Sequence, residues 1–407
     1  MIINVVNKIH KKYATQLFKK DFSGREINIY ELTNSMITGV SPHYPNTLLY
    51  QTDDNLLYNP INEITMSLKD VEVKKNFNFI PKKPNKIEEN PVFFFIYNTD
   101  NYFHFIYDSL PYLISFNNIK KNDSKIKLLM NYPLGETKFY NFVLEFLTIL
   151  CIKESDIIIA DQNTNYKKIY VSTSYTHYFD SNLPPRKEIY SFYREIANKV
   201  KIDDINLPKK IYISRRSWLH GDTSNIGTNY TERRKMVNED ELVNFLTSKG
   251  YVEVFSELLT TEQKIAIFKN AESVIGAIGG GICNVLFSKP ECKLTALVSP
   301  HFLDVNTRFK YSIDKVKLTL FVDSRNVETT LFKKYMRVKC GDIVGEITNI
   351  ENDNITIIYS DVRLSGWNSQ NEYKTMVVKA DSCIRLDEGL NSSWEINLDK
   401  LINKIKI

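Results

Sequence analysis

His104 and Asp108 lie four residues apart in NYFHFIYDSLP, a stretch that reads as the start of a helix, so their side chains share one face. One of the pair can act as a general base while the other orients it. The neighbouring Tyr102, Phe103, Phe105 and Tyr107 equally suit a histidine that is only a satisfied core residue. Ser214-Arg215-Arg216 closes the apolar run KIYI, and arginines at the end of a parallel strand can grip a diphosphate bidentately without a metal. A surface arginine pair is the plainer alternative. Gly279-Gly280-Gly281 sits between a strand and a helix that begins near Ile282. There, backbone N–H groups and a positive helix end meet at one point suited to phosphate, though a tight turn with no ligand has the same sequence.

Other chemistries are excluded by spacing. A nicotinamide site needs G-x-G-x-x-G and an acid ending the next strand. Here Asn284 replaces the third glycine, and CKLTALVS ends in Ser299. No DxD-type pair ends a strong strand: Asp53-Asp54 and Asp203-Asp204 fall in loops. HExxH, GxSxG, P-loop and kinase motifs are absent.

Strand and helix periods alternate around these residues. The first 85 or so residues read as irregular, followed by the strand VFFFIY, the helix Asn101–Phe116, the strand KIKLLMN, an apolar helix over Lys138–Leu150 and the amphipathic helix Arg186–Val200. Lys201–Lys210 is polar and broken by proline, as a domain boundary would be. A second alternation begins at KIYISRR. It runs through a polar loop (Ser217–Arg234, a candidate lid), the helix Asn238–Gly250, YVEVF, the helix Thr260–Glu272, SVIGAIGGG, a short helix and CKLTALVS. Such alternation implies parallel sheets covered on both faces. The expected domains are residues 1–204 (1–90 an irregular lead-in), 205–330, and a β-rich appendage, 331–407. The fold class is α/β, two Rossmann-like halves with a small β-sheet or barrel added.

Composition bounds the answer further. The chain has 407 residues, 43% hydrophobic and 25% charged, enough for two or three cores. Fifty-three basic against 48 acidic residues leave +5, interleaved rather than striped, which argues against a nucleic-acid partner. Five cysteines without CxxC spacing argue against a disulfide framework or zinc site and for a reducing compartment. Lysines interrupt the opening segment where a signal peptide needs its apolar run, and no apolar stretch is long enough for a membrane span. A cytoplasmic protein is expected.

Taken together, NYFHFIYDSLP, KIYISRR, RKMVNEDEL and YVEVFSELLTTEQKIAIFKNAESVIGAIGGGICNVLF resemble glycosyltransferase family 61, which includes capsule, polysaccharide and protein O-linked sugar transferases. The likeness runs from about Val92 to Phe321. Two positions depart: the family's His-Gly-Ala-Gly turn is Ile278-Gly279-Gly280-Gly281 here, and Phe105 stands where a tryptophan is usual. The resemblance implies a GT-B architecture whose two Rossmann-like domains face a cleft, and an inverting transfer with no bound metal or cofactor. His104 or Asp108 would be the base on the acceptor side. Ser214, Arg215, Gly279, Gly280, Gly281 and Asn284 would surround the donor diphosphate, with Phe255 and Glu257 near base and ribose. Arg234 and Glu239 read as structural. The implied partners are a nucleotide sugar, UDP-linked by family habit, and a glycan acceptor. An idle GT-B scaffold that binds a glycan or partner is the alternative, motivated by the missing turn histidine.

Overall fold

The computed structural model describes residues 14–20, 27–38, 47–51, 56–60, 64–67, 81–133, 136–176, 185–201, 206–216, 235–300, 317–327, 332, 337–359, 374–385 and 393–405. The candidate lid Ser217–Arg234, Arg234 itself and the pairs Asp53-Asp54 and Asp203-Asp204 lie outside the described residues. The described residues form an α/β protein with two compact units, one running to Phe192 and the other beginning at Tyr193.

In the first unit the strands are β1 (Ala14–Lys20), β2 (Ile27–Ile37), β3 (Leu49–Gln51), β4 (Leu56–Asn59), β5 (Ile64–Ser67), β6 (Lys86–Glu88), β7 (Val92–Phe94), β8 (Lys127–Met130), β9 (Ile157–Ile159) and β10 (Thr164–Ser172). They make one sheet, ordered β5-β4-β3-β2-β10-β7-β8-β9, with β1 beside β2 and β6 beside β10. The parallel part is β6 to β10, and in its strands β7 and β8 the residues Val92, Phe93, Phe94, Leu128, Leu129 and Met130 are all buried. The expectation of a purely parallel sheet with an irregular lead-in is corrected: β1 to β5 form an antiparallel arm on the same sheet. Strands β3, β4 and β5, of three or four residues, carry too few alternations to show a period, and β2, though 11 residues long, has no strict alternation of buried and exposed positions. Helices α1 (Leu113–Lys120) and α2 (Asn141–Ile149) belong to this unit, and α3 (Glu188–Lys199) contains the boundary.

The expected single helix over Asn101–Phe116 is also corrected. It consists of an α turn (Tyr102–His104), a π turn (Phe105–Ser109), a 3-10 turn (Leu110–Tyr112) and then α1. Pro111, which has no N–H for a regular i−4 bond, stands in the 3-10 turn. Leu110 donates to the Phe105 carbonyl five residues back.

The second unit holds β11 (Lys210–Ile213), α4 (Glu239–Ser248), β12 (Val252–Val254), α5 (Thr261–Asn270), β13 (Ser273–Ala277), β14 (Lys293–Leu297) and β15 (Lys317–Phe321). All five strands are parallel, in the order β12-β11-β13-β14-β15. In chain order this is 2-1-3-4-5, a doubly wound sheet whose order reverses between β11 and β13. Ile211, Val274, Leu294 and Phe268 pack one face; Tyr212, Ile275, Leu297 and Leu242 pack the other.

Next come β16 (Ser324–Asn326), β17 (Arg337–Cys340), β18 (Ile343–Glu351), β19 (Asn354–Tyr359), β20 (Lys374–Lys379), β21 (Cys383–Arg385), β22 (Trp394–Ile396) and α6 (Leu398–Lys404). Strands β17 to β21 make an antiparallel sheet, ordered β20-β19-β18-β17-β21, around Val338, Ile347, Ile355 and Ile357. Cys340 and Cys383 face each other across β17 and β21 and are joined as a disulfide, Cα atoms 4.6 Å apart, which corrects the expectation of none. The sheet interrupts the α/β unit: β16 before it and β22 after it pair antiparallel, and Trp394 lies in the same cluster as Tyr212 and Leu242.

Candidate active site

Every candidate group follows the carboxyl end of a parallel strand, the edge where open α/β sheets bind ligands. In the first unit β7 leads into Asn98-Thr99-Asp100-Asn101, all but Asn101 buried. Asn98 Oδ1 accepts from Asn101 N (3.0 Å), and the Asn101 side chain caps the turn by accepting from His104 N. Tyr102 and Phe105 lock the turn onto Phe142 of α2, ring centroids 5.3 and 5.5 Å away. Those contacts account for Tyr102 and Phe105, while the His104 ring meets Phe103 edge-on, centroids 5.5 Å apart, and keeps its nitrogens for polar partners.

His104 Nδ1 lies 2.7 Å from Asp108 Oδ2, with the histidine side chain 29% exposed and the aspartate fully buried. Facing an ionised carboxylate, which only accepts, a neutral ring carries its proton on Nδ1 and keeps the lone pair on Nε2. The expected i, i+4 pairing survives the switch from α to π winding between the two residues.

In the second unit the switch point brings the ends of β11 and β13 together. Arg215 Nη1 lies 3.3 Å from where a Cβ on Gly279 would stand. A small recess there is lined by Arg215, Ala277, Ile278, Leu297, Ser299 and Trp394. The arginine pair divides its labour. Arg216 is tied to Glu253 by two nitrogens (2.7 and 3.0 Å) and to Asp240 (2.6 Å), which raise its affinity for its proton. Arg215 is pushed the other way by burial, against the pull of Glu239, Glu257 and Tyr212.

Glu239 organises this edge. Its Oε1 accepts from Tyr212 OH (2.8 Å), Arg215 N (2.8 Å) and Ser214 Oγ (3.3 Å), so the first turn of α4 is stitched to the end of β11. Burial pushes the Glu239 carboxyl up, opposed by the Arg215 N–H and the Tyr212 hydroxyl. An acid with a raised folded-state value destabilises when ionised; that cost is absent below the unfolded value, about 4.3, and fully present above the folded one. In Glu239→Gln, unfolding free energy relative to the native chain should therefore climb as pH rises from about 4.3 toward neutrality. Denaturant titrations across that range would read the slope; a flat difference would mean that the buried carboxylate carries no such cost.

The remaining predicted residues have definite places. Asn284 is fully buried and donates Nδ2 to the Gly281 carbonyl (2.9 Å), holding the glycine turn in shape. A Cβ at Gly281 would meet Ile213 Cγ2 at 2.8 Å and Ser256 Oγ at 2.9 Å, so this glycine lets the turn pack on β11. The helix after it, Ile282–Phe287, is 3-10 and only six residues long, which weakens the expected helix-end contribution to phosphate binding. Phe255, half-buried, precedes the 3-10 turn Ser256–Leu258 that carries Glu257. Gly280 accepts from Cys283 Sγ through its carbonyl, 2.7 Å. Among the described residues no three His, Cys, Asp or Glu side chains come together to hold a metal ion. No described helix is long and apolar enough to cross a membrane.

Residues 102–295 match the glycosyltransferase 61 family model. This segment belongs to glycosyltransferase family 61. It takes in just under half the chain, including His104, Asp108, Ser214, Arg215, Glu239 and the glycine turn, and the match supports a glycosyltransferase role. No curated protein matches the chain. Leu297, Ser299 and Trp394 complete the recess from outside the family 61 segment. Sequence reading missed Trp394 because its partners Lys235 and Val237 are far away along the chain.

Proposed function

We propose that the chain is an inverting, metal-independent glycosyltransferase that moves a sugar from a nucleotide-sugar donor, UDP-linked, to a hydroxyl of a glycan or polysaccharide. Arg215 beside Gly279, at the order reversal of a doubly wound sheet inside a family 61 segment, carries this reading. In the proposed step His104 Nε2 takes the proton from the acceptor hydroxyl, with Asp108 holding the ring. The hydroxyl oxygen bonds to the anomeric carbon while the bond to the diphosphate breaks, and the nucleoside diphosphate leaves with the electron pair. Arg215 and backbone N–H groups of the glycine turn neutralise its growing charge. Phe255 and Glu257 flank the nucleoside, while Ser214 and Asn284 keep the strand end and the turn in shape. A GT-B arrangement of the two units, with the donor held by the second, belongs to the same proposal.

The test is thermal unfolding with UDP, GDP, CMP and NAD, each with and without EDTA. A ligand at about 100 times its dissociation constant stabilises by about 2.7 kcal/mol. For a chain of this size that is a rise of about 3 °C. An EDTA-insensitive rise with UDP, lost in Arg215→Ala, is expected. No shift with any nucleotide would overturn the donor site and leave the glycan-binding scaffold, which the absence of the family's turn histidine from Ile278-Gly279-Gly280-Gly281 also favours.

A further inference from the structure

Beyond β10 the chain continues as Thr173-Ser174-Tyr175-Thr176, and all four residues are buried. A buried run this rich in hydroxyls is costly unless each finds a partner. Thr173 Oγ1 accepts from Asn28 N (2.9 Å), and Tyr175 OH meets Ser115 Oγ (2.9 Å), which also meets Ser172 Oγ (2.9 Å). Ser174 Oγ accepts from Thr176 N (3.1 Å), which pins the Thr176 backbone. Thr176 Oγ1 donates to Asp108 Oδ1 at 3.4 Å.

The Asp108 carboxylate is therefore held from two elements. Its Oδ2 faces His104 on its own helical turn, and its Oδ1 faces Thr176 at the end of β10, the strand beside β7. The two contacts engage opposite oxygens of the carboxylate, so each opposes its rotation about the Cβ–Cγ bond. We propose that Thr176 is a positioning residue: its hydroxyl sets the rotation of the Asp108 carboxylate so that Oδ2 meets Nδ1, which fixes His104 in the Nδ1-protonated tautomer with Nε2 ready to accept. The proposal rests on His104 as the base.

The test uses the full chain labelled with ¹⁵N-histidine, with the His104 signals assigned by their loss in His104→Ala. The wild type should show two well-separated ring nitrogens, Nδ1 protonated and Nε2 bare. Thr176→Val should average them toward a mixture of tautomers, and Thr176→Ser, which keeps the hydroxyl, should restore the wild-type pattern. A purely structural threonine would change the melting temperature and leave the tautomer alone. If the valine variant does not fold, Thr176→Cys tests the same loss with a weak donor. An unchanged Nδ1-protonated pattern in the hydroxyl-free variant overturns the proposal. Full turnover in His104→Ala would overturn the base reading instead, and the two failures are separate observations.

Discussion

His104→Ala is expected to lose 10²- to 10⁴-fold in turnover, about 3–5 kcal/mol of barrier, while UDP still raises the melting temperature as in the wild type. The Nδ1–Oδ2 contact of 2.7 Å leaves Nε2 as the only ring atom able to take a proton. Asp108→Asn should lose nearly as much, though it keeps the volume and the burial. An asparagine that turns its amide toward Nδ1 donates where the carboxylate accepts, which selects the opposite tautomer and protonates the working nitrogen. Nucleoside diphosphate release from the donor that stabilises the protein would be measured for both variants, beside their melting temperatures. A fully active His104→Ala would remove the histidine from the chemistry. An active Asp108→Asn would mean that the tautomer is set by something else.

Trp394→Ala should destabilise the second unit by about 3–5 kcal/mol, on the order of 7–12 °C for a cooperative unit of about 200 residues. The indole is 1% exposed and lies among Tyr212, Met236, Leu242, Leu297 and Phe321, so its loss opens a large cavity that the sheet cannot close. The backbone at this position adds to the effect. Trp394 N donates to Lys235 O (3.0 Å), Val237 N donates to Trp394 O (2.8 Å), and Asn238 exchanges two side-chain bonds with Ile396 (2.8 and 3.1 Å). Those bonds fix the lead into α4, one residue before Glu239. Nucleotide binding should therefore weaken along with stability, and Trp394→Phe should recover most of both. Denaturant unfolding would measure the loss; a change under about 1 kcal/mol would contradict the packing, because large-to-alanine core losses exceed that.

The second unit was legible because local signals and global fold agree there. Thr260 caps α5 in a capping box with Gln263, and Gly250 stops α4 with φ +79°. The strand ends that carry Ser214 and Gly279 followed from the alternation of periods. What stayed hidden depended on distance or on winding. The π turn around Asp108 preserves the i, i+4 pair, so the pair was found although its helix was misread. The disulfide joins positions 43 residues apart, and an odd cysteine count conceals such a pair. The sequence reading favoured Arg215 over Arg216 for the diphosphate, but the ties of Arg216 to Glu253 and Asp240 and the burial of Arg215 beside Gly279 were not legible in it.

The pairing of β16 with β22 has a consequence for how the chain is made. The α/β unit lacks part of its wall until Trp394 emerges from the ribosome, roughly 70 residues after Asn326. At about 5–20 residues per second that interval lasts on the order of 3–14 s. Throughout it Tyr212, Met236 and Leu242 face water or a chaperone instead of the indole. A nascent chain arrested in the intervening sheet would expose the same apolar surface, so a stop codon there should mark the product for degradation even though every residue of the family 61 segment had already been translated.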